Sequence, residues 1–408
     1  DDAISCLPPL VDPGQIPRGA ARFGGRHPGM ATRATLPATR TRVIRMRVAL
    51  ISTTPPGKPG SMGVYGDLVL GALREHAPWI DVTTVALRPS PSMQGRGVAG
   101  RLTTMAQILK ARRASAHVQA DVCHLLDGSF GYLATGLPLR RTLVTVHDLI
   151  PALQARGRFP VDRPGWAARR LIGASLRLVR EAGAVCAVSQ STARDVLGLT
   201  GRVVDAVILN PLRPLPGEGL DASVDQMGRR QSPSLLHVGN NAFYKNRAGV
   251  LRIFATMAAE RPDLRLAMAG PAPTAALLQL SEQLGIGARQ IWVKDPDDIA
   301  LAKLYREAAV LLFPSLYEGF GWPPLEALSK GCPVVCANTG ALPEVVGDAA
   351  LLWDPCDEPG FAAQALRLLA DEALARQLIA RAQSHLRGFS TGAMAEGLVA
   401  LYARLAGA

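Results

Sequence analysis

The chain has 408 residues, enough for two domains, and its 48% hydrophobic content is enough for a sizeable core in each. No run of eighteen apolar residues occurs, so no membrane-spanning helix is expected. The formal net charge of +12 favours anionic partners; nucleic acid is not expected among them, because no basic motif is interleaved with aromatics.

Residues 1–45 are rich in Pro, Gly, Ala and Arg and carry seven Arg against three Asp. They are expected to form a disordered extension, with the folded protein beginning at Met46. Arg47–Ser52 (RVALIS) reads as a buried parallel strand, Thr53–Gly63 as a Gly/Pro loop and Val64–Glu75 as the first helix. Strand, Gly loop and helix N-terminus let backbone approach a phosphate, which makes Gly63 a candidate contact. Ile80–Leu87 is the second strand, and a basic helix ends near Ala116. Between Asp81 and Asp121 there is no acid but six bases: Arg88, Arg96, Arg101, Lys110, Arg112 and Arg113. Such a one-signed stretch suits an anionic membrane surface.

Asp121–Leu126 and Arg141–Val146 read as further strands, and His147-Asp148 follows the second of them. Ligands of open α/β sheets bind beyond the C-terminal ends of strands, so His147 is a candidate catalytic residue. Trp166–Ala182 is a basic amphipathic helix, Ala184–Val188 a strand, and Ser189 or Ser191 the cap of the helix after it. Val203–Leu209 is the last strand of a first domain, residues 46–210, and residues 211–233 are the linker.

The second domain, residues 234–390, opens with Ser234–Gly239 (SLLHVG), a loop to Lys245, and a helix from Asn246 to about Glu260. An ammonium at a helix start is a good phosphate partner, so Lys245 is a candidate, with Gly239 and Asn240 in the same turn. Leu264–Ala269, Gln290–Val293, Ala309–Phe313, Pro333–Cys336 and Ala350–Trp353 complete its strands. Helices cover Phe361–Leu369 and Asp371–Leu386, and a last helix, Thr391–Leu405, lies in a C-terminal segment 391–408. Of the six cysteines (Cys6, Cys123, Cys186, Cys332, Cys336, Cys356) none shows disulfide spacing. Cys332 and Cys336 sit on the apolar run CPVVC and read as small buried hydrophobes, so no metal site is expected. That usage fits a reducing, cytoplasmic compartment.

The stretch with the most chemistry follows the strand Ala309–Phe313. In PSLYEGFGWPPLEAL, Ser315–Trp322 is a loop with Gly319 and Gly321 where backbone must come close to something. Pro323 and Pro324 fit the first turn of a helix. Ser315, Gly319, Phe320 and Gly321 stand where free amides and a helix dipole favour an anion. Glu318 and Glu326 form an E-x7-E pair across the loop and helix.

This string, followed by GCPVV and NTGALPEVV, resembles the donor site of the retaining glycosyltransferases of family 4 (glycosyltransferase group 1). GSMGVY, TVHDLIP, AVSQSTARDVL and Lys245-Asn246 extend the resemblance to residues 46–405. It implies an α/β protein of the GT-B fold, two Rossmann-like domains facing across a cleft, with the last helix packed back on the first domain. A nucleotide-diphosphate sugar would bind mainly to the second domain and a glycan or lipid-linked acceptor to the first. Glu326 would accept hydrogen bonds from the ribose hydroxyls, Glu318 would hold the transferred sugar, and Lys245 would neutralise the leaving diphosphate.

The implied reaction moves a hexose of mannose or glucose type with retention, in polysaccharide biosynthesis, needing no metal and no cofactor besides the donor. It would take place in the cytoplasm or on the inner face of the membrane. Two positions depart from the family pattern. Asn240 stands where many members have Arg, which leaves Lys245 more of the diphosphate charge or brings in Arg247. Asn210-Pro211 stands where Asn-Gly is usual. The missing clamp charge is also what a non-catalytic nucleotide-sugar-binding partner protein would display, and the same fold serves phosphorylases and epimerases.

Overall fold

The computed structural model describes residues 45–53, 60–87, 98–217 and 234–407. The segment 1–44, Arg88 and Arg96, the side chain of Arg101 and linker residues 218–233 lie outside the described residues.

Six strands form the first sheet: β1 (Arg47–Ser52), β2 (Asp81–Ala86), β3 (Val122–Leu125), β4 (Thr142–Val146), β5 (Ala184–Ala187) and β6 (Ala206–Val207). Their order is β2-β1-β3-β4-β5-β6, with every pair parallel. Helices α1 (Ser61–His76), α2 (Val98–Ala116), α3 (Ile150–Ala155), α4 (Trp166–Glu181) and α5 (Gln190–Thr200) connect them. Every residue of β3, β4 and β5 is buried, as a parallel sheet between helix layers requires, and all but His124, Thr142 and Thr145 are apolar.

A second parallel sheet follows: β7 (Ser234–Val238), β8 (Arg265–Gly270), β9 (Gln290–Lys294), β10 (Ala308–Phe313), β11 (Val334–Ala337) and β12 (Leu351–Trp353). Its order is β12-β11-β10-β7-β8-β9. It carries α6 (Arg247–Glu260), α7 (Ala275–Gln283), α8 (Asp298–Glu307), α9 (Trp322–Ser329), α10 (Leu342–Val346), α11 (Glu358–Ala370) and α12 (Glu372–His385). In each sheet the chain builds outward on one side, then crosses to the other. The switch points, where loops diverge and leave a crevice, lie between β1 and β3 and between β7 and β10.

Several boundaries differ from the sequence reading; the helix expected from Phe361 begins at Glu358, and two other differences bear on the site and the sheet edge. Helix α1 begins at Ser61, so Gly63 lies in its first turn and not in the loop before it. Gly60, at φ 139°, makes the turn, and its carbonyl accepts the Gly63 amide at 3.1 Å. The strand expected over Val203–Leu209 shrinks to two residues at the sheet edge. Asp205 there takes the Val185 amide at 2.7 Å and pairs with Arg202 and Arg404, so side-chain bonds replace part of the ladder.

The final helix, α13 (Thr391–Ala406), lies on α1, and Met394, Leu398 and Tyr402 share one apolar cluster with Tyr65, Val69 and Leu73. A buried polar chain runs beneath them. The Tyr402 hydroxyl is 2.6 Å from His124 Nδ1, His124 Nε2 is 2.7 Å from Thr145 Oγ1, and that hydroxyl is 3.1 Å from the Tyr65 hydroxyl. Burial pushes His124 down to about 3, so the imidazole is neutral in the folded protein.

That neutrality has a sign. Below the ordinary histidine value of 6.5 the unfolded chain takes up a proton that the native imidazole refuses. The stability contributed by neutral burial is therefore complete above that pH and is lost as pH falls toward 3. Urea unfolding from pH 8 to 5 should show His124→Asn flatter than the native protein by up to about 1.4 kcal/mol per pH unit, since groups common to both cancel. Parallel profiles would mean that the native imidazole titrates as it does in the unfolded chain.

Candidate active site

The site begins at the second switch point. Gly239 ends β7 with its amide bonded to Ala269 at 3.0 Å, and a Cβ there would sit 2.8 Å from His237 Nε2, so the turn needs glycine. A 3₁₀ turn, Phe243–Lys245, follows, and Asn246 adopts a left-handed φ of 52°. Its side chain accepts the Gly249 amide at 3.1 Å, capping α6, and donates to the Pro314 carbonyl at 3.0 Å. The Leu316 amide reaches the Tyr244 carbonyl at 2.7 Å. The loops after β7 and β10 are thus bonded to each other along their length.

The consequence is a charge pair: Lys245 Nζ lies 2.7 Å from Glu318 Oε1, with the side chains 14% and 8% exposed. The ammonium also faces the rings of Phe313 and Tyr244 at 5.3 and 5.7 Å.

The first domain meets this pair from the end of β4. His147 is buried, its Nε2 2.9 Å from the Leu126 carbonyl and its ring edge-on to Tyr65 at 4.4 Å. Burial pushes it down to about 4. Beside it Asp148 is pushed up to about 6, first by desolvation and then by the neighbouring charges of Asp127 and Glu318. A carboxyl at that value exchanges protons near neutrality.

Close contact joins the two halves. A Cβ on Gly319 would overlap the His147 carbonyl oxygen, so this approach is open only to glycine. Ser189 caps α5 through the Thr192 amide and donates its own hydroxyl to the Gly319 carbonyl at 2.7 Å. Glu344, from α10, accepts the Gln190 and Ser191 amides at 2.8 and 2.9 Å, filling the N-terminus of α5 with a carboxylate. Tyr317 donates to Asp195, and Phe159 packs on Phe243 and Tyr317 at 5.1 and 5.8 Å.

The other sequence-derived residues fall in different places. Glu326 is buried in α9 with its own partners: the Tyr305 hydroxyl at 2.8 Å and Arg213 Nη1 at 3.5 Å. Burial raises its pKa, while Arg213 and Tyr305 pull it down. Ser315 is fully buried, its hydroxyl without a partner. The Phe320 side chain belongs to the core, against Trp322 and Phe389, which leaves only its backbone for a ligand. Gly321, at φ 114°, is the residue before α9, and Gly63 is buried in α1. Asn240 is exposed and accepts the Ala242 amide at 3.0 Å. Arg247, the other cation considered for a diphosphate, is buried over Trp292 at 5.0 Å and bonded to Asn241 and the Pro271 carbonyl.

Sequence reasoning missed Asp148, Glu344, Tyr305 and Arg213 as parts of the site. Asp148 adjoins His147, and Glu344 lies in the string already singled out, so both had a local signal. Tyr305 and Arg213 had none, because only the fold brings them to Glu326.

Two facing parallel sheets, each with a switch-point crevice, define the class: a GT-B protein of two Rossmann-like domains. Sucrose-phosphate synthase of Thermosynechococcus elongatus has this architecture, with a TM-score of 0.69 at 21% identity over 88% of this chain and 99% of that one. The second domain is more specific: residues 225–385 match the family of glycosyl transferases group 1. O-antigen chain mannosyltransferase B of Escherichia coli is 38% identical over 162 residues, 38% of this chain. The match spans 42% of that protein's length. D-inositol 3-phosphate glycosyltransferase of Streptomyces avermitilis is 29% identical over 419 residues, covering 87% of this chain and 88% of the relative.

Removing one member of the buried Lys245–Glu318 pair leaves the other charge uncompensated, at a cost of about 3 kcal/mol or more. Lys245→Met and Glu318→Gln should each lower the urea midpoint. The double variant should lose clearly less than the two losses added together. Strict additivity would mean that the pair does not form in solution.

Proposed function

We propose that the chain is a retaining hexosyltransferase of glycosyltransferase family 4. It would move a mannose- or glucose-type sugar from a nucleotide diphosphate to a glycan or lipid-linked acceptor, without metal or cofactor. The observation that carries this is the Lys245–Glu318 pair at the second switch point, facing His147 and Asp148 across the domain contact. The group 1 match of the same domain and the mannosyltransferase and glycosyltransferase names of its relatives support it.

In this reading the diphosphate lies at the β7–α6 turn. An ammonium has three donors, so Lys245 can serve phosphate oxygens while it holds Glu318. Its charge gains most as the glycosyl bond breaks and negative charge collects on the leaving diphosphate, so it favours the transition state over the ground state. Glu318 accepts from hydroxyls of the transferred sugar, and its charge stabilises an oxocarbenium-like centre. Glu326 accepts from the ribose hydroxyls. His147, neutral and fixed by the Leu126 carbonyl, orients the sugar near the bond that breaks, and the first domain presents the acceptor.

Incubation with UDP-, GDP- and ADP-hexoses, with and without a glycan acceptor, should release the nucleoside diphosphate from one donor class. Glu318→Gln should slow that release by roughly 10²–10³-fold with nucleotide affinity nearly unchanged. Binding without release from any donor would favour a non-catalytic partner protein; phosphate-dependent sugar release would favour a phosphorylase.

The acceptor side carries a membrane-facing expectation as well. Trp166, at the start of α4, is 66% exposed. The Arg170 guanidinium lies 5.1 Å over its ring, and Arg169 adjoins. An exposed indole beside arginines suits an anionic lipid interface. The protein should pellet with vesicles containing anionic lipid, less so at high salt, and Trp166→Ala should weaken pelleting. Equal pelleting with neutral vesicles would remove the membrane from the proposal.

A further inference from the structure

Residues 211–217, the described part of the linker, are bound to the helix that carries Glu326. The Trp322 indole donates to the Pro211 carbonyl at 3.0 Å. Lys330, buried just past the same helix, donates to the Leu215 carbonyl at 2.9 Å and approaches the Gly217 carbonyl at 3.3 Å. The Leu212 amide reaches the Phe389 carbonyl at 2.9 Å. These bonds fix the backbone on both sides of Arg213. Its guanidinium then spans two acids of the second domain: Nη1 lies 3.5 Å from Glu326 Oε1, and Nη2 is bonded to Asp298 in the first turn of α8. The Tyr305 hydroxyl, also from α8, holds Glu326 Oε2 at 2.8 Å.

A carboxylate has about four acceptor positions, so these two partners leave capacity for a vicinal diol. Protonation would reduce that capacity and replace an acceptor with a donor, and a carboxyl 3% exposed tends to take a proton. The charged and titratable groups facing Glu326 are Arg213 from the linker, and Tyr305 and Asp298 from α8. Asp298 pushes toward protonation, so Arg213 is the cation that opposes both burial and Asp298.

We propose that Arg213 is a positioning residue of the nucleotide site: from the interdomain linker it holds Glu326 ionised and aimed, so that the linker is part of donor recognition. The inference rests on the assignment of Glu326 to the ribose.

Without Arg213, Glu326 should lose its charge at a higher pH. Affinity for the nucleotide should then begin to weaken at a higher pH than in the native protein. The probe is whichever of UDP, GDP and ADP binds tightest, measured by calorimetry at pH 8, 7 and 6. Arg213→Met should weaken binding roughly tenfold at pH 7 and steepen the pH dependence. Arg213→Lys should recover most of the pH profile but not all the affinity, because an ammonium cannot bridge Glu326 and Asp298 as a planar guanidinium does. Melting temperature serves as the control for folding, and Arg213→Lys keeps the test informative if Arg213→Met unfolds. Weak binding in Glu326→Gln with unchanged affinity and pH profile in both Arg213 variants overturns the proposal and leaves the site assignment standing. Unchanged affinity in Glu326→Gln, or no binding of any of the three nucleotides, overturns the assignment and the proposal together.

Discussion

A lysine and a glutamate from two different loops meet in one charge pair, and both loops exist because strand order reverses between β7 and β10. The crevice there is a consequence of winding: successive right-handed crossovers can leave β7 on only one side at a time, so the connections diverge where the direction changes. What fills the crevice is chosen by sequence. Asn246 both caps α6 and reaches Pro314, and with the Leu316 amide on the Tyr244 carbonyl it sets the spacing of the two loops. The ion pair then sits on a frame of backbone bonds and does not itself hold the loops together.

The same loop is also the surface on which the domains meet. Gly319 is pressed against the His147 backbone, and its carbonyl is claimed by the hydroxyl of Ser189. Gly319, His147 and Glu318 are therefore both candidate site residues and part of, or next to, that contact. An open cleft would separate His147 and Asp148 from Glu318 and expose the amides that Glu344 now occupies. The raised pKa of Asp148 depends partly on the charge of Glu318 across that contact, so its proton affinity reports closure.

The two sheets and the group 1 stretch were readable because each rests on local signals: apolar runs of strand length, glycines at turns, and a long string of fixed spacing. The boundary errors have equally local causes. Gly60 was not distinguishable from Gly63 as the turn residue, since only the backbone reveals which of them needs positive φ. The edge strand β6 was overread because an apolar run cannot announce that Asp205 will take the ladder's place. Arg213 and Tyr305 were invisible for a different reason: their partners are 113 and 21 residues away, and no period or motif links them. Position 213 differs in kind from 148, whose neighbour at 147 already pointed to the site.

This difference has a physical side. Lys245 and Glu318 lie on loops whose form is fixed by their own strands, so their meeting needs only the second domain to fold. Glu326 is joined by Arg213, which precedes β7 in the chain and whose place is set by bonds of its neighbours to Trp322, Lys330 and Phe389. Burial raises the pKa of Glu326 and Arg213 opposes that rise, so the carboxyl's charge is influenced by a residue remote from it in the chain. Lys245 and Glu318 thus come together from within one domain, whereas the surroundings of Glu326 also include a residue that precedes β7.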